Sequence, residues 1–471
     1  MFGRQKPGHL ALRVSALAAL LLIPLGVGAG QRQGAFSGSV PNGQATGTLL
    51  DLTLQDAFER ALKYNLGGIE SSENTRAAHA QRLRGLNALL PNLSARLSGT
   101  IQQLDLPAEG IRLKIPGVAI PTVVGPFGVA DARAYVSQEI FNWSDIKNWK
   151  SAAEGEKASQ YAYKSDRNLV VYTAGNAYLL VISDLATVDS VRAQVKTAQT
   201  LVQNDEDLNH HGLIARIDLL RARVEFQTQQ QRLIAANNQV EIDKLTLARI
   251  IGLPNGQDFR LADSVPYAAL EGTTQEQALQ QALSARPDYL SAQAQVRAAE
   301  LTRQAVAAEN YPSLSTDTNY GDIGSPNFSS SHGTLGFALT LKVPIFQGTR
   351  VRADKLQADA ALQQRKAELA DLEGQIDTQV RTAFFNLKSS SELVSVAQSN
   401  TDLANQTLEQ AQDRFRAGVA DNLEVVQAQE SVAAANQSYI SSLFAYNLAK
   451  ISLAQAMGVA EQSALHYLGA K

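Results

Sequence analysis

The chain has 471 residues, 18% of them charged, no cysteine and a formal net charge of −3. The missing cysteine excludes disulfides, thiol catalysis and a lipidated N-terminal cysteine. The mildly acidic balance argues against nucleic acid and against a polybasic membrane patch.

Residues 1–30 read as an export signal peptide. Arg4, Lys6 and Arg13 surround a basic start, Leu17 to Val27 form an apolar stretch broken by Pro24, and Val27-Gly28-Ala29 is a small-x-small cleavage site. The stretch is too short for a spanning helix, which needs roughly 20 apolar residues, and no later stretch is expected to span. Removing the signal takes away three basic residues and no acidic one, leaving 39 basic and 45 acidic residues and a net charge near −6. An exported chain without a spanning helix is either soluble beyond the inner membrane or a β-barrel in an outer membrane. Residues 31–50, rich in Gly, Ser and Gln as far as 48, are expected to be a flexible N-terminal segment.

From residue 51 the chain says one thing twice. "TLQDAFERAL" (53–62) answers "TQEQALQQAL" (274–283), Pro91 answers Pro312, Phe141 answers Phe346, Gly212 answers Gly418 and Gly252 answers Gly458. The offset falls from 221 to 205 or 206 residues across the segment 104–130, so the copies differ mainly by a longer loop in the first. The first repeat is placed at 51–260, with a β-hairpin at 93–140 and long helices over 145–251. The second is placed at 261–460, with a hairpin at 314–343 and long helices over 350–457, and 461–471 is left as a C-terminal tail.

Within each repeat, short period-two segments interrupt a helical pattern. Leu93, Ala95, Leu97, Gly99 and Ile101 alternate with Ser94, Arg96, Ser98, Thr100 and Gln102. Ala132, Ala134, Val136 and Ile140 alternate with polar neighbours, as do Leu335, Phe337, Leu339, Leu341 and Val343, while Leu314 to Tyr320 alternate more weakly. Strands of about ten residues with one apolar face suit an outer-membrane barrel, although a soluble sheet packed on helices alternates in the same way. Four strands cannot close a barrel, since such barrels start at about eight strands, and an open edge in lipid is forbidden. If these strands span a membrane, several chains must share one barrel, two supplying eight strands or three supplying twelve.

The proline-free stretches 145–209 and 350–416 read as single helices of about 100 Å each at 1.5 Å per residue. Leu369, Leu372, Ile376, Val380, Ala383 and Leu387 step by three or four, a coiled-coil seam. The helices are rich in Ala, Ser, Gln and Asn, and no large hydrophobic core is expected. Phe141, Trp143 and Trp149 cluster where strand meets helix, with Phe346 at the matching point; these aromatics suit either a membrane–water boundary or a buried plug at the joint. The adjacent His210 and His211 diverge by about 100° on a helix and make no metal pair. The other histidines show no zinc spacing, and two methionines do not make a copper path. No nucleophile elbow, Walker loop or dinucleotide fingerprint is present, so neither an enzyme nor a cofactor is indicated.

The plan resembles the TolC-like outer-membrane efflux family over about residues 50–460. The resemblance rests on "LTLQDAFERALKYN" (52–65), "ALLPNLS" (88–94), "VPIFQGTR" (343–350), "RFRAGVADNLEVVQAQ" (414–429) and "ISLAQAMGV" (451–459), in this order on a duplicated chain. It implies a mainly α fold with a small β part. Three protomers would share a 12-stranded barrel, four strands each, continued by a hollow α-helical barrel into the periplasm. It implies an outer-membrane exit duct of a tripartite efflux pump or type I secretion system. The partners would be a homotrimer, outer-membrane lipid, a periplasmic adaptor and an inner-membrane pump of RND, ABC or MFS type.

The same resemblance assigns the turns 207–218 and 413–424 to the periplasmic tip. Gly212-Leu213 and Gly418-Val419 then serve adaptor docking, although a plain helix cap explains the glycines equally well. Asp218 and Glu424 become channel-tip acids, with Gln427 where some members carry a further acid. Ala420 stands where some carry a basic locking residue, and Arg216 or Arg416 are the candidate substitutes. The competing reading is a secreted or periplasmic coiled-coil scaffold without a pore.

Overall fold

The computed structural model describes residues 36–111, 121–263, 268–270, 274–420 and 422–469. The signal peptide lies outside them, as do residues 112–120 of the first hairpin loop. Each repeat begins with a pair of short helices: α1 (Leu54–Tyr64) and α2 (Leu66–Asn87) in the first, α5 (Gln275–Ala285) and α6 (Pro287–Ala307) in the second. The matching sequences start α1 and α5 by the same device. Thr53 and Thr274 each cap the third amide of their helix, while Asp56 and Gln277 return a bond to the capping backbone.

Strands β2 (Asn92–Asp105) and β3 (Val123–Phe141) follow α2, and β5 (Ser313–Gly324) and β6 (His332–Lys342) follow α6. All four form one antiparallel sheet in the order β2-β3-β5-β6, the two hairpins joining through β3 and β5. The loop expected at 104–130 is shorter than that, because strand pairing runs up to Asp105 and resumes at Val123. The predicted alternation holds: Leu93, Leu97, Ile101, Leu335, Phe337, Leu339 and Leu341 lie exposed on one face.

Helix α3 (Trp143–His210, 68 residues) runs from the sheet to the far end of the molecule, and α4 (Arg216–Ile251) returns. Helices α7 (Arg350–Arg416, 67 residues) and α8 (Asn422–Ala456) repeat the path. At 1.5 Å per residue each outgoing helix is about 100 Å long. A parallel pair of three-residue strands, β1 (Leu50–Leu52) and β4 (Phe259–Leu261), ties the start of the first repeat to its end.

Four differences from the sequence reading stand out. First, the expected flexible segment 31–50 is anchored where it is described: Phe36 is buried, and the backbone of Val40 donates to Tyr64. Second, the expected tail contains helix α9 (Ala460–Leu468), whose Ala460, Ala464 and Leu468 are buried. Third, a contiguous core does exist, formed by Phe58 of α1, Val170 to Val181 of α3, Ile251 of α4, Ile451 of α8 and Leu468 of α9. Its composition is spread over five helices, which hid it from any single segment. Fourth, α3 contains one stretch long and apolar enough to cross a membrane, with 44% of it buried inside the chain. Val170, Val171, Ala174, Tyr178 and Val181 are fully buried, so that stretch is a core face.

The seam of α7 packs where the helical repeat places it. Ile376 and Val380 are fully buried against Ala278 and Ala282 of α5 and Leu453 of α8. Gly252 and Gly458 end α4 and α8 with φ of 67° and 75°. A Cβ at Gly252 would lie 2.6 Å from Tyr64 Cβ, so packing as well as dihedral requires glycine there.

Truncating Ile376 to Ala should cost about 2–5 kcal/mol through the cavity it leaves. Removing the Thr53 cap by Thr53→Ala should cost about 1 kcal/mol. Circular dichroism melting of the two variants checks the order, and equal shifts would contradict the assigned core.

Candidate functional site

The end of the molecule opposite the sheet is built from the two turns between long helices. In each, a glycine takes the left-handed conformation, Gly212 at φ 69° and Gly418 at φ 71°. The following amide reaches back five residues: Leu213 donates to the Leu208 carbonyl at 2.9 Å and Val419 to the Arg414 carbonyl at 3.1 Å. This is the Schellman pattern, which satisfies carbonyls that a helix end would otherwise leave open. Open space surrounds both glycines, so their backbone angle alone calls for them. Leu213 and Val419 are 70% and 67% exposed.

Behind the turns, Leu201 of α3, Ala222 of α4, Ala411 of α7 and Val425 and Ala428 of α8 form a small apolar cluster. A groove of about 980 Å³ runs between the two turns, lined among others by Leu208, Leu213, Phe415, Arg416 and Gln429.

The acids predicted here have specific partners. Asp218 is bridged by Arg221 at 3.2 Å on its own helix. Glu424 is bridged by Arg414 Nε at 3.3 Å, from the helix that leads into the turn. Arg414 is thus an arginine ion-paired with a tip acid across this turn. Arg416 pairs with Asp413 at 3.0 Å, and Arg216 is exposed with no ion pair among the described residues. Gln427 is exposed beside them. His211 caps α3, and its ring lies 5.5 Å from that of His210, a helix-end placement.

Two residues absent from the sequence reading link the repeats. Asp205 of α3 is fully buried and accepts a hydrogen bond from Asn422 Nδ2 at the start of α8. The same nitrogen donates to the Asp218 carbonyl at 3.2 Å. Asp205 Oδ1 and Asn422 Oδ1 are buried without hydrogen-bond partners among the described residues. Burial first, and then the Asp218 carboxylate, push the Asp205 carboxyl up to about 6, against the Asn422 bond that lowers it. A signal was available: at the tip offset of 206 residues Asp205 answers Ala411, a buried alanine of the cluster. A carboxylate where the other copy has a core alanine marks a place where the repeats do different work.

At the opposite end of α3, Phe141 and Trp143 have ring centroids 6.1 Å apart, and Lys147 lies 5.1 Å above the Trp143 ring. Phe141, Trp143 and Phe346 are exposed in the single chain, Phe346 at 88%, at the end of the apolar sheet face. Trp149 is set apart, its backbone packed on Gly85 and its indole nitrogen buried.

The profile of the family described as "Outer membrane efflux protein" matches residues 73–253 and 278–459, one block in each repeat. The chain is 25% identical over 424 residues to the pyoverdine export outer membrane protein OpmQ of Pseudomonas aeruginosa, covering 87% of this chain and 86% of that one. It is 21% identical over 350 residues to the outer membrane protein TolC of Escherichia coli, covering 71% and 70%. Its fold is similar to the crystal structure of the CmeC outer membrane channel of Campylobacter jejuni, with a TM-score of 0.74, 16% identity and coverage of 90% and 92%.

Asp205 makes the contact between the turns pH-dependent. Its carboxyl titrates above its ordinary value of 3.8 in the folded chain, so ionisation opposes this packing. The penalty is absent below about pH 4, grows as pH rises and is complete above about pH 6. A protonated Asp205 also has an O–H to donate, and Asn422 Oδ1 is an unfilled acceptor. With Leu213 and Val419 replaced by cysteine in this cysteine-free chain, spin-label distances should be narrower at pH 5 than at pH 7.5. Asp205→Asn should abolish the difference, and its persistence in that variant would assign it elsewhere.

Proposed function

The chain belongs to the outer membrane efflux protein family, and from that premise we infer that three copies close one 12-stranded barrel and extend it as a helical tube. The protein is an outer-membrane channel of efflux pumps, with a helical extension into the periplasm. The finer reading is an exit duct of a tripartite efflux pump or type I secretion system. It receives substrates from a periplasmic adaptor and an inner-membrane pump of RND, ABC or MFS type and passes them outside. The reading that family members act as conduits, not catalysts, fits a chain whose residues here are assigned to walls and turns.

The observation that supports a shared barrel is the sheet, and the family sets the proposed number of copies at three. Strands β2 and β6 are its edges, and on the outward face these edge strands carry exposed leucine, isoleucine and phenylalanine, while β5 places Thr316, Thr318 and Asp322 on the same face. In hydrocarbon every backbone donor and acceptor on those edges needs a partner. Pairing β6 of one copy with β2 of the next satisfies them, and three copies give the twelve strands. A solid coiled-coil scaffold would leave this apolar face in water, which disfavours the alternative. Phe141, Trp143 and Phe346 would then mark the inner membrane–water boundary.

At the tip, the exposed Leu213 and Val419 suit docking of a helical adaptor. Three copies of Glu424 and Asp218 around a narrow axis would favour cations. Arg414 neutralises part of that charge in the closed arrangement and makes the Arg414–Glu424 bridge a candidate lock.

Electron microscopy of the mature chain in detergent should give a threefold particle with a short barrel and a tube on the order of 100 Å. Particles without an axial channel, or a protein that leaves the membrane without detergent, would overturn the duct. In bilayer recordings Glu424→Gln should reduce the potassium-over-chloride permeability ratio, and an unchanged ratio would remove Glu424 from the selectivity assignment.

A further inference from the structure

The face of the sheet opposite the leucines carries its own charge pattern. Cross-strand register places Arg96 of β2 directly opposite Arg133 of β3, and Arg133 opposite Gly321 of β5. One row closer to the helices, Tyr135 pairs with Asn319, and Asn319 with Gly336 of β6. Both guanidinium groups lie over the Tyr135 ring, Arg96 at 5.3 Å and Arg133 at 5.4 Å from its centroid. Two like charges directly across a strand pair repel, so their retention on one aromatic ring needs a reason.

Arg133 is fully engaged. It bonds Asp131 through Nε at 2.7 Å and through a terminal nitrogen at 2.5 Å, and its other terminal nitrogen donates to Asn319 Oδ1 at 3.2 Å. Arg96 is different: among the described residues it makes no hydrogen bond and no ion pair, and it is exposed. Its guanidinium lies over Tyr135, and its N–H donors are unused among the described residues. The other acids on this face stand further along β3: Asp317 pairs with Ser137, four residues from Arg133, and Glu139 is six residues away. Four residues of strand are roughly 13 Å, beyond the Debye length of about 8 Å at physiological salt. Asp131 is the near carboxylate for both arginines and is bonded by Arg133, so two guanidinium groups share one counter-ion and a net positive charge remains at this level.

We propose that Arg96, supported by Tyr135 and Arg133, is an anion-binding site in the wall of the barrel lumen, suited to carboxylate or phosphate groups of solutes in transit. This rests on the exit-duct reading, which turns this face inward and brings three such sites to one level. A guanidinium stacked on an aromatic ring keeps its edge free for bidentate contact with a carboxylate or phosphate. The duct would then present acids at its periplasmic tip and a net positive charge in its outer-membrane section, so an anionic solute that clears the tip meets a favourable wall beyond it.

The test is block of single channels in planar bilayers by inorganic tripolyphosphate, added from the barrel side in about 0.1 M KCl, where the Debye length is about 10 Å. Wild type should be blocked. Arg96→Gln should raise the half-blocking concentration by about tenfold or more, the loss of a charge-assisted bidentate contact. Arg96→Lys, which keeps the charge without the fork, should fall between them. Wild-type block should weaken in about 1 M KCl, where screening shortens to about 3 Å. Equal unblocked conductance in wild type and variants shows that the barrel is intact. Equal block of wild type and Arg96→Gln would overturn the site and leave the duct standing. Failure of wild type to form channels at all would overturn the duct, and the site with it.

Discussion

An open four-stranded sheet with one apolar face cannot rest alone in an outer membrane, and the rest of the molecule follows from that constraint. The edges β2 and β6 carry unpaired backbone groups, and lipid offers them no hydrogen bonds. In the assembly proposed above, closure comes from other copies. Once copies share a barrel, the helices that follow each hairpin are carried round the same axis, and α3 and α7 extend that arrangement by about 100 Å each. A tube of this length has little interior to bury. Its walls use small and polar residues at helix contacts, and the larger side chains concentrate near its middle, where α1, α3, α4, α8 and α9 meet around Tyr178 and Ile451.

The two halves of the chain solve the same geometric problem with different chemistry. Both tip turns end their helices with a left-handed glycine and a reach-back amide, because any outgoing helix must satisfy its last carbonyls before reversing. The departures from symmetry lie just behind those turns. Asp205 stands in the first copy where Ala411 stands in the second, and Asn422 crosses from the second copy to meet it. Arg414 and Glu424 bridge the helices of the second turn, and Arg223 and Glu206 bridge those of the first at 2.7 Å. A duct assembled from identical halves would have no reason to prefer one turn for movement. The buried Asp205 is what distinguishes the two turns, and the burial of a carboxylate ties that contact to proton concentration.

Charge is also divided along the long axis. The acids at the tip sit among arginines that partly neutralise them, whereas Arg96 in the sheet stands over an aromatic ring without a carboxylate of its own. The outward face of the edge strands is apolar, so the alternation that suits the membrane outside also sets what a solute would meet inside.

The amino-acid sequence by itself determined the duplication, the hairpins, the two long helices and the left-handed glycines, because each is written in local spacing: period two for strands, steps of three and four for helices, a glycine where a helix reverses. It also singled out Leu213, Val419, Phe141 and Phe346, whose exposure the fold decided. Tertiary structure alone decided the joining of β3 to β5, the shared core, the anchoring of Phe36 and Leu468, and the partners of the charged residues. Asp205 and Asn422 lie 217 positions apart, and Glu424 chose Arg414 over the arginines on either side of the turn. Such pairs depend on which helix faces meet after packing, and no local period records that.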